Sequence, residues 1–236
     1  FWKIKKGRIP EDKVPFMILP EDQDSVVDFD KLHKNFQFLK DIEARKEFFR
    51  RLPFHTVLPF RDDNEILNRN AFVTTVEESM KKPVDQHLPV STVCVYFQGG
   101  DRVWENIVRL SKLHNPNVHL GISSLNDHGE QSPYDFEELI EYVKKKQRVD
   151  FDFVVRDPIV AKHKIRSSMT QVRLPLKGET PEIIIIRKGP ISADTLRKYT
   201  GHPVRELASA KLASRGHPED VLLDEKVLKY LEEVNS

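Results

Sequence analysis

The alternation of short β-rich runs with amphipathic helical stretches between residues 92 and 155 constrains this chain more than any other feature of its sequence. Thr92 to Phe97 (TVCVYF) is an apolar, β-rich run closed by Gly99-Gly100. Asp101 stands as N-cap to a helix on which Val103, Trp104, Ile107, Val108 and Leu110 share the inward face. His114-Asn115-Pro116-Asn117 ends that helix, and Val118 to Ser123 (VHLGIS) reads as a second strand. Ser132-Pro133-Tyr134-Asp135 opens another helix, with Ser132 as the N-cap and Pro133 at the first helical position. Phe136, Leu139, Ile140 and Val143 keep the helical spacing, and Lys144, Lys145 and Lys146 fall where the helix dipole favours cations. Phe151 to Val155 is the third strand. Strand, helix, strand, helix, strand at this spacing predicts crossovers between parallel strands. The expected class is α/β: a βαβαβ parallel sheet in the centre, an N-terminal helical and extended extension, and an α+β C-terminal part.

Four segments follow from this reading. Residues 1–24 hold Pro10, Pro15 and Pro20 and form an extended arm, whose Val14 to Leu19 (VPFMIL) lies against a partner or adds a strand to its own fold. Residues 25–88 are helical and mixed: Leu32, Phe36, Leu39, Ile42, Phe48, Phe49 and Leu52 recur at helical spacing from about Asp28 onward. In the same segment Phe54 to Phe60 is strand-like, and Phe72 to Met80 fits either a strand or a helix. Residues 89–168 are the α/β region, and residues 169–236 the C-terminal part. There, Val172 to Leu176 and Glu182 to Arg187 read as strands, and Ser192-Ala193-Asp194 opens a helix to Tyr199. Two Gly-His-Pro triplets, at Gly201 and Gly216, place glycine at a helix end and proline at the next helix start. Asp224 to Val234 is a final amphipathic helix.

Composition excludes several classes. Hydrophobic residues make up 39% and charged residues 32%, a balance that builds a core under a charged surface and argues against disorder. The longest strictly aliphatic run, Ile183 to Ile186, is far short of the ~20 residues a bilayer span needs, so no membrane contact is expected. A single cysteine, Cys94, rules out an internal disulfide framework and fits a reducing compartment. The chain opens at Phe1 without a signal-peptide pattern, as expected after cleavage of a leader or trimming of an end.

Candidate sites each have a plainer explanation beside them. Gly99-Gly100 sits where backbone N–H groups can hold a phosphate, but the spaced glycines of a dinucleotide site are missing and a tight turn explains the pair. Asp150 and Asp152 have a metal-binding spacing yet fall at the amino end of their strand, the wrong edge for a ligand. His114, His119 and His128 near Asp127 lack helical or short-loop ligand spacing, so no metal is expected. Cys94, mid-strand among apolar neighbours, reads as an inert core thiol. From Lys144 to Lys188 twelve cations face five acids (Asp150, Asp152, Asp157, Glu179 and Glu182). Within that stretch Lys162, Lys164, Arg166, Arg173, Lys177, Arg187 and Lys188 are the candidate RNA-binding residues, beside Ser167, Ser168 and Thr170. An ordinary solvated edge accounts for the same bias. The net charge of +1 means that RNA binding would rest on a local patch.

Three stretches resemble a known family. Val93-Cys-Val-Tyr-Phe-Gln-Gly-Gly-Asp101 looks like the opening strand and turn of the large-subunit ribosomal stalk protein family L-one. Phe136-Glu-Glu-Leu-Ile-Glu-Tyr-Val-Lys-Lys145, with Asp150-Phe-Asp-Phe-Val-Val155 and Pro158, is similar to that family's helix, basic turn, strand and following proline. Ile183 to Leu196 is similar to its return segment. The glycine- and proline-rich segment after the third strand and the terminal Thr-Met-Gly segment of the family are missing. The resemblance implies a Rossmann-like central region and a divergent organellar ribosomal protein. The expectation is thus a non-catalytic structural subunit, with rRNA and neighbouring proteins as partners and no cofactor or small-molecule ligand. It would lie inside the cell, in the mitochondrial matrix for an organellar ribosome. Two other classes remain open on the residues: a protein-interaction subunit of another assembly, or an α/β enzyme holding a nucleotide at Gly99-Gly100.

Overall fold

A computed structural model describes residues 16–18, 26–50, 54–61, 73–75, 91–96, 102–116, 120–122, 133, 135–146, 170–189, 191–212, 229 and 233. Eight strands are described: β1 (Phe16–Ile18), β2 (His55–Pro59), β3 (Val73–Thr75), β4 (Ser91–Tyr96), β5 (Leu120–Ile122), β6 (Gln171–Arg173), β7 (Ile183–Lys188) and β8 (Val204–Leu212). They form one sheet in the order β5-β1-β4-β2-β6-β7-β8, with β3 also pairing β4. All four segments read from the sequence contribute to it. The described helices are α1 (Ile42–Arg50), α2 (Arg102–His114), α3 (Phe136–Lys146) and α4 (Ala193–Thr200). The α/β class is therefore what the chain adopts.

Within that class the sheet is mixed where the sequence predicted parallel neighbours. β1 runs parallel to β4 (Met17 opposite Val95) and antiparallel to β5 (Met17 opposite Gly121), so β4 and β5 run in opposite directions with β1 between them. The apolar arm has taken the place that a crossover would have given to the second strand. A β-rich run carries no label for its neighbour, and Phe16–Ile18 satisfies the edge of β4 as well as the second expected strand would. Parallel pairing does occur, between β2 and β6 and between β7 and β8. The third expected strand, 151–155, lies outside the described residues.

Capping explains where the helices begin. Asp41 accepts from the Ala44 N–H (2.8 Å) at the head of α1, and Ser192 accepts from the Thr195 N–H (3.2 Å) at the head of α4. At α3 the cap is Asp135, which accepts from the Glu138 N–H at 2.7 Å, rather than the expected Ser132. A carboxylate at that position also meets the positive end of the helix dipole. Gly201 closes α4 with φ of 68°, the left-handed cap that glycine adopts without strain. Pro203 then leads into strand β8 rather than into a helix. The second triplet lies outside the described residues, as does the expected last helix apart from Lys229 and Glu233, both helical.

The helix expected from Asp28 onward is two 3₁₀ turns, Phe29–Lys31 and Lys34–Lys40, before α1. The spacing of Phe29 to Leu32 and of Phe36 to Leu39 is three, which suits a three-residue turn. Side chains take the carbonyls a longer helix would use: Gln37 Nε2 donates to Phe29 O (3.0 Å) and Leu32 O (2.7 Å). The His33 N–H donates to Pro175 O at 2.9 Å, tying the segment to the region after β6. Phe29, Leu32, Phe36 and Leu39 enter one core with Leu58, Val93, Val95, Val172, Ile185 and Leu196. No described helix is long and apolar enough to cross a membrane.

Candidate functional site

Side chains alternate between the two faces of a strand, and residues opposite each other on neighbouring strands share a face. Leu58, Val93, Val95, Val172 and Ile185 therefore line one face, and all five belong to the core described above. His55, Val57, Thr92, Cys94, Gln171, Arg173 and Arg187 fall on the other. That second face carries polar groups on β4, β2, β6 and β7 beside the apolar Val57 and Ile184, and is largely covered. Thr92, Cys94, His55 and Arg173 are all buried, and Val57 and Cys94 stand outside the apolar core. A buried polar face is the informative anomaly in a sheet of this kind.

One row on this face brings together groups that are far apart in sequence. His55 is opposite Gln171, and Gln171 is opposite Arg187 across the β6–β7 pair. A bulge between Gln171 and Val172 brings Arg187, rather than Ile186, into this row. Gln171 Nε2 donates to Cys94 Sγ at 3.2 Å, fixing the carboxamide against β4. Burial, and then the Arg187 charge, push the His55 imidazole down to about 3, so it is neutral at physiological pH. Burial pushes the Cys94 thiol up to about 12, against the smaller opposing effects of Gln171 and Arg187. Arg187 is itself held below its ordinary value by burial. The row thus combines a guanidinium, a neutral imidazole, a carboxamide and a protonated thiol. Cys94 is the inert buried thiol that its position in the strand predicted.

Of the seven candidate RNA-binding residues, Arg173, Lys177, Arg187 and Lys188 lie among the described residues. Lys162, Lys164 and Arg166 lie outside them. Arg173 is only 3% exposed, and its guanidinium holds Glu179 at 2.7 and 3.1 Å. Lys177 is exposed in the turn between β6 and β7. Lys188 pairs with Glu206 at 2.5 Å. Arg187 belongs to the row on the polar face. Among the described residues no cluster of three or more His, Cys, Asp or Glu could hold a metal ion. Sequence reasoning passed over His55 and Gln171 because nothing local marks them. Their only signal is a register between strands more than a hundred positions apart.

No protein-family model matches the chain, and no curated protein matches it in sequence. Among solved structures it is similar to P. abyssi Sua5 complexed with L-threonine, with a TM-score of 0.49 and 17% identity over 98% of this chain. The chain spans 63% of the length of that structure. None of these comparisons supports the expectation of a non-catalytic ribosomal subunit bound to rRNA and free of small-molecule ligands, and that expectation is not kept. The ribosomal resemblance also rested on neighbouring parallel strands, and β4 and β5 are neither neighbours nor parallel.

Proposed function

We propose that the polar face of the sheet binds a small anionic molecule, a carboxylate or a phosphate ester, and that the chain is an α/β domain acting on such a ligand. The row His55–Gln171–Arg187 carries this reading. A guanidinium set beside neutral hydrogen-bonding groups on a mostly covered surface suits an anion, because low local polarity strengthens a charge-assisted hydrogen bond.

Neither titratable neighbour exchanges protons near neutral pH, since His55 titrates at about 3 and Cys94 at about 12. General acid–base or thiolate chemistry by these two groups is therefore unavailable at pH 7. A reaction on this face would be promoted by positioning and by the Arg187 charge.

The test is a titration of the folded chain with acetate, inorganic phosphate, pyrophosphate and L-threonine, followed by NMR at the His55 ring and the arginine side chains. Saturable shifts at His55 and Arg187 with at least one anion are expected, weakened roughly 10-fold or more in Arg187→Ala, the loss of a charge-assisted contact. Unmoved signals with every anion, or equal binding by Arg187→Ala, would sink the reading.

A further inference from the structure

We propose that this chain associates with a second copy of itself, the exposed leucines of α2 in one copy seating on the Phe38–Ile42 surface of the other. Among the described residues five large apolar side chains are exposed, and four of them stand in two pairs. Leu110 and Leu113 are 48% and 70% exposed near the end of α2, one turn apart, although helical spacing placed Leu110 on the inward face. Phe38 and Ile42 are 39% and 42% exposed on either side of the junction between the second 3₁₀ turn and α1. The Phe38 ring lies 5.6 Å from that of Phe48 and 6.2 Å from that of His202, so this surface has an aromatic floor.

The charges around the two pairs are opposite. From Asn106 to Pro116 the chain carries Arg109, Lys112 and the exposed His114, and no carboxylate. From Asp41 to Glu47 the exposed charged side chains are Asp41, Glu43 and Glu47 against Lys46 alone. Arg45 in that stretch is buried and holds the carbonyls of Leu39 and Lys40, while Lys40 itself pairs with Asp30. Two apolar anchors in a cationic rim therefore match two in an anionic rim, and every copy carries both halves. Burial of leucine against aromatic rings drives the association, and the rims set its orientation and reject like against like. Such a contact closes as a twofold pair when both halves engage at once, and otherwise continues from copy to copy.

The experiment is sedimentation velocity on the intact chain across a wide concentration series, with thermal midpoints confirming that each variant is folded. The parent is expected to associate more strongly as its concentration rises. Arg109→Glu with Lys112→Glu, and separately Glu43→Lys with Glu47→Lys, should each weaken association roughly 10-fold or more. An equimolar mixture of the two charge-reversed chains should recover association to within about 3-fold of the parent, because unlike rims meet again. Leu113→Ser, which leaves every charge in place, should weaken it roughly 10-fold and decides the matter if a charge-reversed chain does not fold. A parent that stays monomeric throughout overturns the proposal. So does undiminished association in Leu113→Ser or in either folded charge variant, or a mixture that associates no better than its components.

Discussion

Arg173 and Glu179 grip each other through two parallel hydrogen bonds, of 2.7 and 3.1 Å, at the mouth of the β6–β7 connection. The guanidinium is 3% exposed, and the same carboxylate accepts the Leu176 N–H at 2.7 Å. One acid therefore neutralises a buried cation and satisfies the backbone of the turn that follows β6. Glu179→Ala should cost about 3 kcal/mol in urea denaturation, because it leaves the arginine charge buried and alone. The double variant Arg173→Met, Glu179→Leu should recover most of that loss. Equal stability of Glu179→Ala and the parent would show that the pair is solvated.

Arg45 does for the first layer what Arg173 does for the sheet. Although 2% exposed, it donates from Nε to Leu39 O at 2.7 Å and from Nη2 to Lys40 O at 3.2 Å. Its guanidinium carbon also stands 4.2 Å from the Phe29 ring centre. It closes the end of the second 3₁₀ turn and joins it to α1 and to the core. Arg45→Ala should destabilise by about 2–4 kcal/mol, from unsatisfied carbonyls and a cavity together. Arg45→Lys should rescue little, since an ammonium cannot reproduce the flat fork. A lysine variant as stable as the parent would refute this account.

Thr56 carries a hydroxyl on the apolar face, opposite Val95 and Val172, fully buried and without a hydrogen-bond partner among the described residues. An unsatisfied buried hydroxyl costs about 1–3 kcal/mol, and valine has nearly the same shape. Thr56→Val should raise stability by about 1 kcal/mol. A lower thermal midpoint would show that the hydroxyl is satisfied.

Acid should weaken the fold through His55. Its native pKa, about 3, lies below the ordinary value of 6.5, so the unfolded chain takes up a proton that the folded chain refuses. The associated stability is intact above about pH 6.5 and is lost as the pH falls toward 3, by up to about 1.4 kcal/mol per unit. His202, packed 4.4 Å from the Phe36 ring and lowered by burial, adds a contribution of the same sign. Chemical denaturation at pH 7.5, 5.5 and 4.5 should give falling stability, with a shallower fall in His55→Gln. Parallel pH curves for variant and parent would exclude His55 as a source.

How much was legible follows from what kind of information each feature needs. The strand 183–188, the helix opened by Ser192, its end at Gly201 and the buried inertness of Cys94 all follow from neighbours a few positions away. The 3₁₀ turns were hidden because spacings of three and four overlap in Leu32, Phe36 and Leu39, and the decision came from Gln37 taking the carbonyls of Phe29 and Leu32. The cap of α3 moved from Ser132 to Asp135 because both are good caps and only the folded chain chooses between them.

By itself the sequence determined the alternating helices and strands, and with them the α/β class, since periodicity and capping act within a single turn or a few residues. The tertiary structure alone decided which strands are neighbours. It set the short arm strand at Phe16–Ile18 between β4 and β5, and it assembled His55, Gln171, Cys94 and Arg187 on one face. Register is a relation between distant segments, selected by the burial of whole faces, and no local pattern along the chain encodes it.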